Sequence, residues 1–270
     1  MARFQVGWYR FIPYLGYHHV LMILLLFVVV LLSILIAGCT SESLSGIYLI
    51  ALSYTSEVSE LDGSEGIAEA SSTLSDLAAN HTSLEIRAGY LGMCLLVAGL
   101  TICSRSQETL EAFVHRTVSG DEVGDPLSLI YAAARFRSEV VFVALLFVSV
   151  AFAFFAILLL STFPGWHKEE GSDGSDREVK PFPSRAVSIV SLAVLIVASV
   201  LSLLSSFWQH LSSAAASTMS SVFTYGNVVG SIGPAAMALG WVSTFLLLTA
   251  SVSLLVVILS IRVLRALVDN

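Results

Sequence analysis

Cys39, Cys94 and Cys103 are the only cysteines in this 270-residue chain, and two of them fall in "GMCLLVAGLTICS" with eight residues between them. Thiols at that spacing either face each other on paired strands and oxidise to a disulfide, or stay as two unpaired buried thiols. Few other side chains form a pattern that suggests chemistry. His18 and His19 are adjacent. Metal ligation by neighbouring histidines without Cys or carboxylate partners is disfavoured, whereas anchoring of a helix end at a membrane interface suits them. Glu42, Glu57, Glu60, Asp62, Glu65, Glu69, Asp76 and Glu85 all precede Arg87, the first base after residue 40. Such a stretch either raises the local cation concentration or is a solvated acidic loop. Its spacing matches no EF-hand, so tight Ca2+ binding is not indicated. No nucleophile motif, phosphate loop or CxxC occurs. The residues read as a non-enzyme with no cofactor, no metal site and no catalytic group.

The elements that must position these residues belong to a membrane protein. Hydrophobic residues make up 56% of the chain and charged residues 12%, with a mean hydropathy of +0.85. Soluble domains carry roughly 25% charged residues. A net charge of −7 argues against a nucleic-acid partner. Residues 17–39, 140–163, 186–208 and 235–261 lack Asp, Glu, Lys and Arg. Each is long enough to cross a hydrocarbon core, which needs about 20 apolar residues.

Basic residues near the span ends set the orientation. Arg3 and Arg10, then Lys168, Arg177, Lys180 and Arg185, then Arg262 and Arg265 all fall on one side of a four-span chain, while 209–234 has neither Lys nor Arg. The expected layout is a cytoplasmic N-terminus (1–16), first span (17–39), extracellular loop (40–139), second span (140–163), cytoplasmic loop (164–185), third span (186–208), second extracellular loop (209–234), fourth span (235–261) and cytoplasmic tail (262–270). Asn80 of "NHT" is then a glycosylation acceptor on the lumenal side. "IAGC" at 36–39 also resembles a bacterial lipidation box, but three further spans make a lipid anchor on Cys39 redundant.

Residues 88–103 are apolar enough to suggest a fifth span. A 16-residue helix reaches only about 24 Å, short of the roughly 30 Å core, and a fifth span would split the basic loop from the basic tail. Glycines at 89, 92 and 99 fit a strand pair better. The expectation is a hairpin of 84–96 with 99–104, turning at 97–99, which faces Cys94 towards Cys103 in an oxidising compartment. Closing that ring contributes about 2–3 kcal/mol on the chain-entropy view. "GIYLIALSY" (46–54) reads as a third strand. Residues 104–120 read as an amphipathic helix ending at Gly120. Asp125 and Pro126 read as N-cap and first position of a helix running straight into the second span. The Ser/Glu-rich 56–76 reads as mobile. Ser188, Ser191, Ser199, Ser202 and Ser206 recur at helical spacing, either for close helix packing or as a polar face that could line a pore.

A tetraspan with a large first loop, strands and a Cys-x8-Cys resembles the claudin superfamily, although the Trp that claudins place before the first cysteine is missing from Gly89-Tyr90-Leu91-Gly92-Met93-Cys94. "YHHVLM" (17–22), "LIAGCTS" (35–41), "IYLIALSY" (47–54) and "IRAGYLGMC" (86–94), followed by Cys103, resemble a narrower group, the fungal Ca2+-regulator and membrane-fusion family. The resemblance covers the first 105 residues and reaches the rest only by span count. It makes Gly89, Tyr90, Gly92 and Cys94 the family motif. It implies a claudin-like four-transmembrane-helix bundle, helical overall, with a small antiparallel β-sheet in the first extracellular loop. It also implies a plasma-membrane protein supporting low-affinity Ca2+ uptake and cell fusion during mating. The partners expected are the lipid bilayer and a calcium channel, a partner-cell surface or other copies of the chain. A structural organiser of plasma-membrane domains, as in eisosome-type tetraspans, is the alternative. An ion channel in its own right is disfavoured because no intramembrane charge marks a path.

Overall fold

The computed structural model describes residues 17–55, 73–75, 84–97, 99–117, 125, 127–163, 167–170, 176–179 and 184–268. Asn80, Pro126, Gly120, Arg3, Arg10, Lys180 and nearly all of the acid-rich 56–76 lie outside them. Four helices are long and apolar enough to cross a membrane: α1 (Tyr17–Ile36) and three that follow the sheet. The sheet begins with β1 (Ile50–Tyr54), β2 (Leu84–Ala88), β3 (Met93–Val97) and β4 (Leu100–Ser104). Then come α2 (Gln107–Thr117), α3 (Leu129–Arg135), α4 (Val143–Ser161), the hairpin β5 (His167–Glu170) and β6 (Asp176–Val179), α5 (Arg185–Phe223), β7 (Val228–Ile232) and α6 (Pro234–Val268).

The chain forms two compact units. One consists of Met1–Val30, Phe147–Ser202 and Ser243–Asn270. Its helix segments are apolar outside and carry serines within. Ser149 Oγ donates to the Ala198 carbonyl (3.0 Å), Ser199 and Ser251 hydroxyls share a bond of 2.9 Å, and Ser202 and Thr244 one of 2.8 Å. Small hydroxyl residues let helices approach and bond where no water competes. The serine spacing seen in the sequence therefore serves packing: Ser188, Ser191, Ser199, Ser202 and Ser206 are all buried. Tyr17, His18 and His19 form a ring cluster, with His18 also 6.3 Å from Phe163.

The second unit, Leu31–Leu146 with Leu203–Val242, holds an antiparallel sheet in the order β4-β3-β2-β1-β7. Alternation in β2 (Leu84, Ile86 and Ala88 buried) and the near-continuous burial of β1 and β3 place the three central strands in the core. α3 packs on β1 and β2, and α2 on β4.

Several local expectations are corrected. Residues 84–96 are two strands, because the backbone reverses at Gly89–Gly92, where the Gly89 N–H donates to the Gly92 carbonyl at 2.9 Å. The strand in 46–54 starts only at Ile50. The helix after Asp125 begins at Leu129, with Ser128 at φ 52° preceding it. Asp125 still serves that helix start, since its Oδ2 accepts the Ile130 N–H at 2.7 Å. The helix does not run on into the span. It passes through a wide turn, Phe136–Val140, and breaks at Val141, which is extended (φ −91°, ψ 113°). The largest difference lies in 209–234. There α5 continues fifteen residues past position 208, and the chain then supplies β7 as a fifth strand, paired along all of β1.

Candidate functional site

The register of β3 and β4 sets Cys94 opposite Cys103, and the two are joined by a disulfide. Cys39 stays free and fully buried just beyond the end of α1, where its thiol donates to the Ile47 carbonyl at 3.4 Å. Burial pushes this thiol up to about 12, with the Arg87 charge pulling weakly the other way.

Three of the four motif residues, Gly89, Gly92 and Cys94, meet the exit from α1. A Cβ on Gly92 would overlap the Cys39 carbonyl, and one on Gly89 would lie 2.5 Å from the Gly38 oxygen. Glycine is therefore demanded at both positions by close approach of two backbones. Two separate stretches of the sequence, 35–41 and 86–94, thus form one interlocked corner, with Cys94 Sγ 3.6 Å from the Cys39 carbonyl oxygen.

Tyr90, carried on the same turn, is buried and donates its hydroxyl hydrogen to Gln209 Oε1 at 2.9 Å. Burial raises its pKa, and a hydrogen bond from Ser205 offsets this in part. Gln209 also faces Met237, its Nε2 3.7 Å from the sulfur. Sequence reasoning passed over Gln209. The signal was there: Gln209 and Asn227 are the two amides in 76 residues (186–261) that contain no Asp, Glu, Lys or Arg. Leu49, Tyr90, Phe142, Leu145, Trp208 and Gln209 border a small cleft with room for about one water. At its edge the Trp208 ring N–H donates to the Val140 carbonyl (2.8 Å), an acceptor that the break at Val141 releases.

The third stretch, 47–54, joins the same unit at both ends. The Arg87 guanidinium lies over the Tyr48 ring, 5.1 Å from its centroid, while its Nε bonds Glu85 at 2.7 Å and a terminal nitrogen donates to the Ser45 carbonyl. Glu85 is therefore spoken for by Arg87 within β2. Tyr54 donates to Asp125 Oδ1 at 2.6 Å and accepts the Leu127 N–H. Burial, then the Asp125 bond and charge, raise the Tyr54 pKa. Among the described residues no three His, Cys, Asp or Glu side chains cluster to hold a metal ion. Of the early acids, Glu42 is exposed, and the run Glu57 to Asp76 lies outside the described residues.

The arrangement is a five-stranded surface drawn from the first and third of the three segments that join the membrane helices, closed by one disulfide, two backbone contacts at glycine and one buried tyrosine–amide bond. It is suited to recognition by shape. A family model described as "Ca2+ regulator and membrane fusion protein Fig1" matches residues 70–260. The match contains the 86–94 motif, covers α4 and α5 and ends within α6, whereas the stretches at 17–22, 35–41 and 47–54 lie before it. No curated protein and no solved structure matches the chain.

Proposed function

Because the chain belongs to the Fig1 family of Ca2+ regulators and membrane fusion proteins, we propose that it is a fungal plasma-membrane accessory protein that supports Ca2+ influx and cell fusion during mating. Its termini face the cytoplasm and its sheet faces outward, as the distribution of Arg and Lys favours. It acts without catalysis. The observation that carries this reading is the sheet itself: β7 from the second loop pairs with β1 from the first over five residues, Ile50↔Ile232 to Tyr54↔Val228. A surface so constrained presents a fixed shape to a channel or an opposing cell, and preorganisation of this kind lowers the cost of binding. The span serines favour an accessory role over a pore, since Ser149, Ser199, Ser202 and Ser251 bond across helices.

Purified full-length protein in liposomes loaded with a fluorescent Ca2+ indicator tests the accessory role. No Ca2+ entry above protein-free liposomes is expected. Entry proportional to protein content makes the chain a channel and overturns the reading.

A further inference from the structure

The cleft beside Tyr90 has a chemistry that the fusion reading does not use. It lies within the sheet-bearing unit, where Phe142 and Leu145 open the second expected span and Trp208 closes the third, so it sits at the edge of the hydrocarbon. The Trp208 ring N–H, bonded to the Val140 carbonyl at 2.8 Å, holds these two span ends at one level. Ser205, Gln209 and Ser212 recur on one face of α5 and line the cleft. Among the described residues, none that lines it is charged.

Most polar hydrogens of the cleft are already spent. The Tyr90 hydroxyl donates to Gln209 Oε1 (2.9 Å) and receives a hydrogen bond from Ser205, and Ser212 donates to the Gln209 main-chain carbonyl (3.2 Å). The Gln209 amide nitrogen is the exception. This side chain is only 4% exposed, and the partner of Nε2 is the Met237 sulfur at 3.7 Å, a weak acceptor. An amide nitrogen carries two hydrogens, so one is left to donate, while the serine oxygens keep lone pairs that accept. A donor and an acceptor in a space for about one water suit a hydroxyl, which answers both from one atom. A phosphate or a cation in so uncharged a cleft would be desolvated at high cost.

The mouth selects what carries that hydroxyl. Phe142 (54% exposed) and Trp208 (43% exposed) are the exposed members of the lining, their ring centroids 5.6 Å apart and their planes inclined at 60°. A rigid fused-ring body lies against two such faces with little loss of freedom, whereas a flexible acyl chain must first be ordered. We propose that the cleft binds the hydroxyl of a membrane sterol, with Gln209 Nε2 donating to the sterol oxygen and Phe142 and Trp208 carrying the ring system. The proposal goes beyond Ca2+ regulation and fusion, and needs only the four-span reading.

The test uses full-length protein in phosphatidylcholine nanodiscs that contain a photoreactive sterol with a diazirine in its ring system, and maps the crosslinks by mass spectrometry. Labelling is expected within 141–145 and 205–212. Unlabelled 3-hydroxysterol should displace it, and the 3-deoxy analogue should do so about tenfold less well, as expected from an unmade buried hydrogen bond. Gln209→Leu removes the donor, while Leu145→Phe fills the cleft and leaves every polar group in place; each should lower labelling by about tenfold. Non-reducing mobility of the Cys94–Cys103 disulfide and thermal unfolding report whether the variants remain folded, and Leu145→Phe carries the test if Gln209→Leu does not fold. Labelling that is absent, that spreads over all the membrane helices, or that persists in folded Leu145→Phe overturns the proposal; the absent case leaves water alone in the cleft. Equal displacement by the 3-deoxy analogue or by diacylglycerol also overturns it, the latter by making a flexible hydroxyl lipid the occupant. Ca2+ uptake in cells is read separately, so failure of either reading is visible without the other.

Discussion

Tyr90 and Gln209 are 119 positions apart in the sequence, yet the tyrosine hydroxyl meets the amide oxygen at 2.9 Å inside the sheet-bearing unit, with both side chains buried. The bond fastens the β2–β3 turn to α5. Removing the hydroxyl leaves a buried amide oxygen short of a donor, a loss of about 1–3 kcal/mol. Tyr90→Phe is expected to lower the unfolding temperature in nanodiscs. Combined with Gln209→Leu it should cost clearly less than the two single losses added, as residues in direct contact do. Additive losses would show that the contact carries no coupling.

Gly92→Ala places a methyl group on the Cys39 carbonyl. The turn must then move away from the exit of α1, an overpacking cost of about 1–3 kcal/mol. Reduced surface delivery, scored by surface biotinylation, is the expected outcome. Gly46→Ala is the matched control, since nothing lies within 4 Å of its added Cβ, and it should be delivered normally.

Cys103→Ser opens the bridge across β3 and β4. The loss should be about 2–3 kcal/mol, the entropy of a short closed loop. Cys94→Ser should match it, and the double variant should be no worse than either. Migration on non-reducing gels, with and without reductant, tracks the bond itself.

The buried Cys39 thiol makes an alkaline prediction. Its pKa rises from 9.0 to about 12 on folding, so the fold holds this proton more tightly than the unfolded chain does. The resulting stabilisation is complete below pH 9 and is lost as pH rises towards about 12. Tyr54 and Tyr90, also raised, act in the same sense from pH 10 upward. Cys39→Ala should flatten the fall in unfolding temperature between pH 9 and pH 11. In the native protein Cys39 should resist maleimide, and labelling should appear on unfolding.

The parts of the fold legible in the sequence are those set by local polarity. Charge-free runs mark four membrane helices, and the spacing of Cys94 and Cys103 suits facing positions on a hairpin. Long-range packing was not legible. The turn Gly89–Gly92 looked like glycine within a strand, because its purpose is the approach of the Cys39 backbone from 50 positions away. "VVGSI" has too little alternation to announce β7, and it becomes a strand only because β1 offers a free edge. The serines of 212–224 lower the hydropathy of α5, so the span seemed to stop at 208 although the helix goes on; the hydroxyls of Ser212, Ser217, Ser220 and Ser221 bond the helix backbone and leave it intact. Gln209 stood out chemically, but only the folded chain shows Tyr90 as its partner.

Ca2+ uptake by pheromone-treated cells lacking the chain, compared with the same cells carrying it, tests the proposed role most directly. The prediction is a clear loss of stimulated uptake on deletion, restored by the wild-type chain and restored poorly by Gly92→Ala. Uptake that is unchanged by deletion would contradict it.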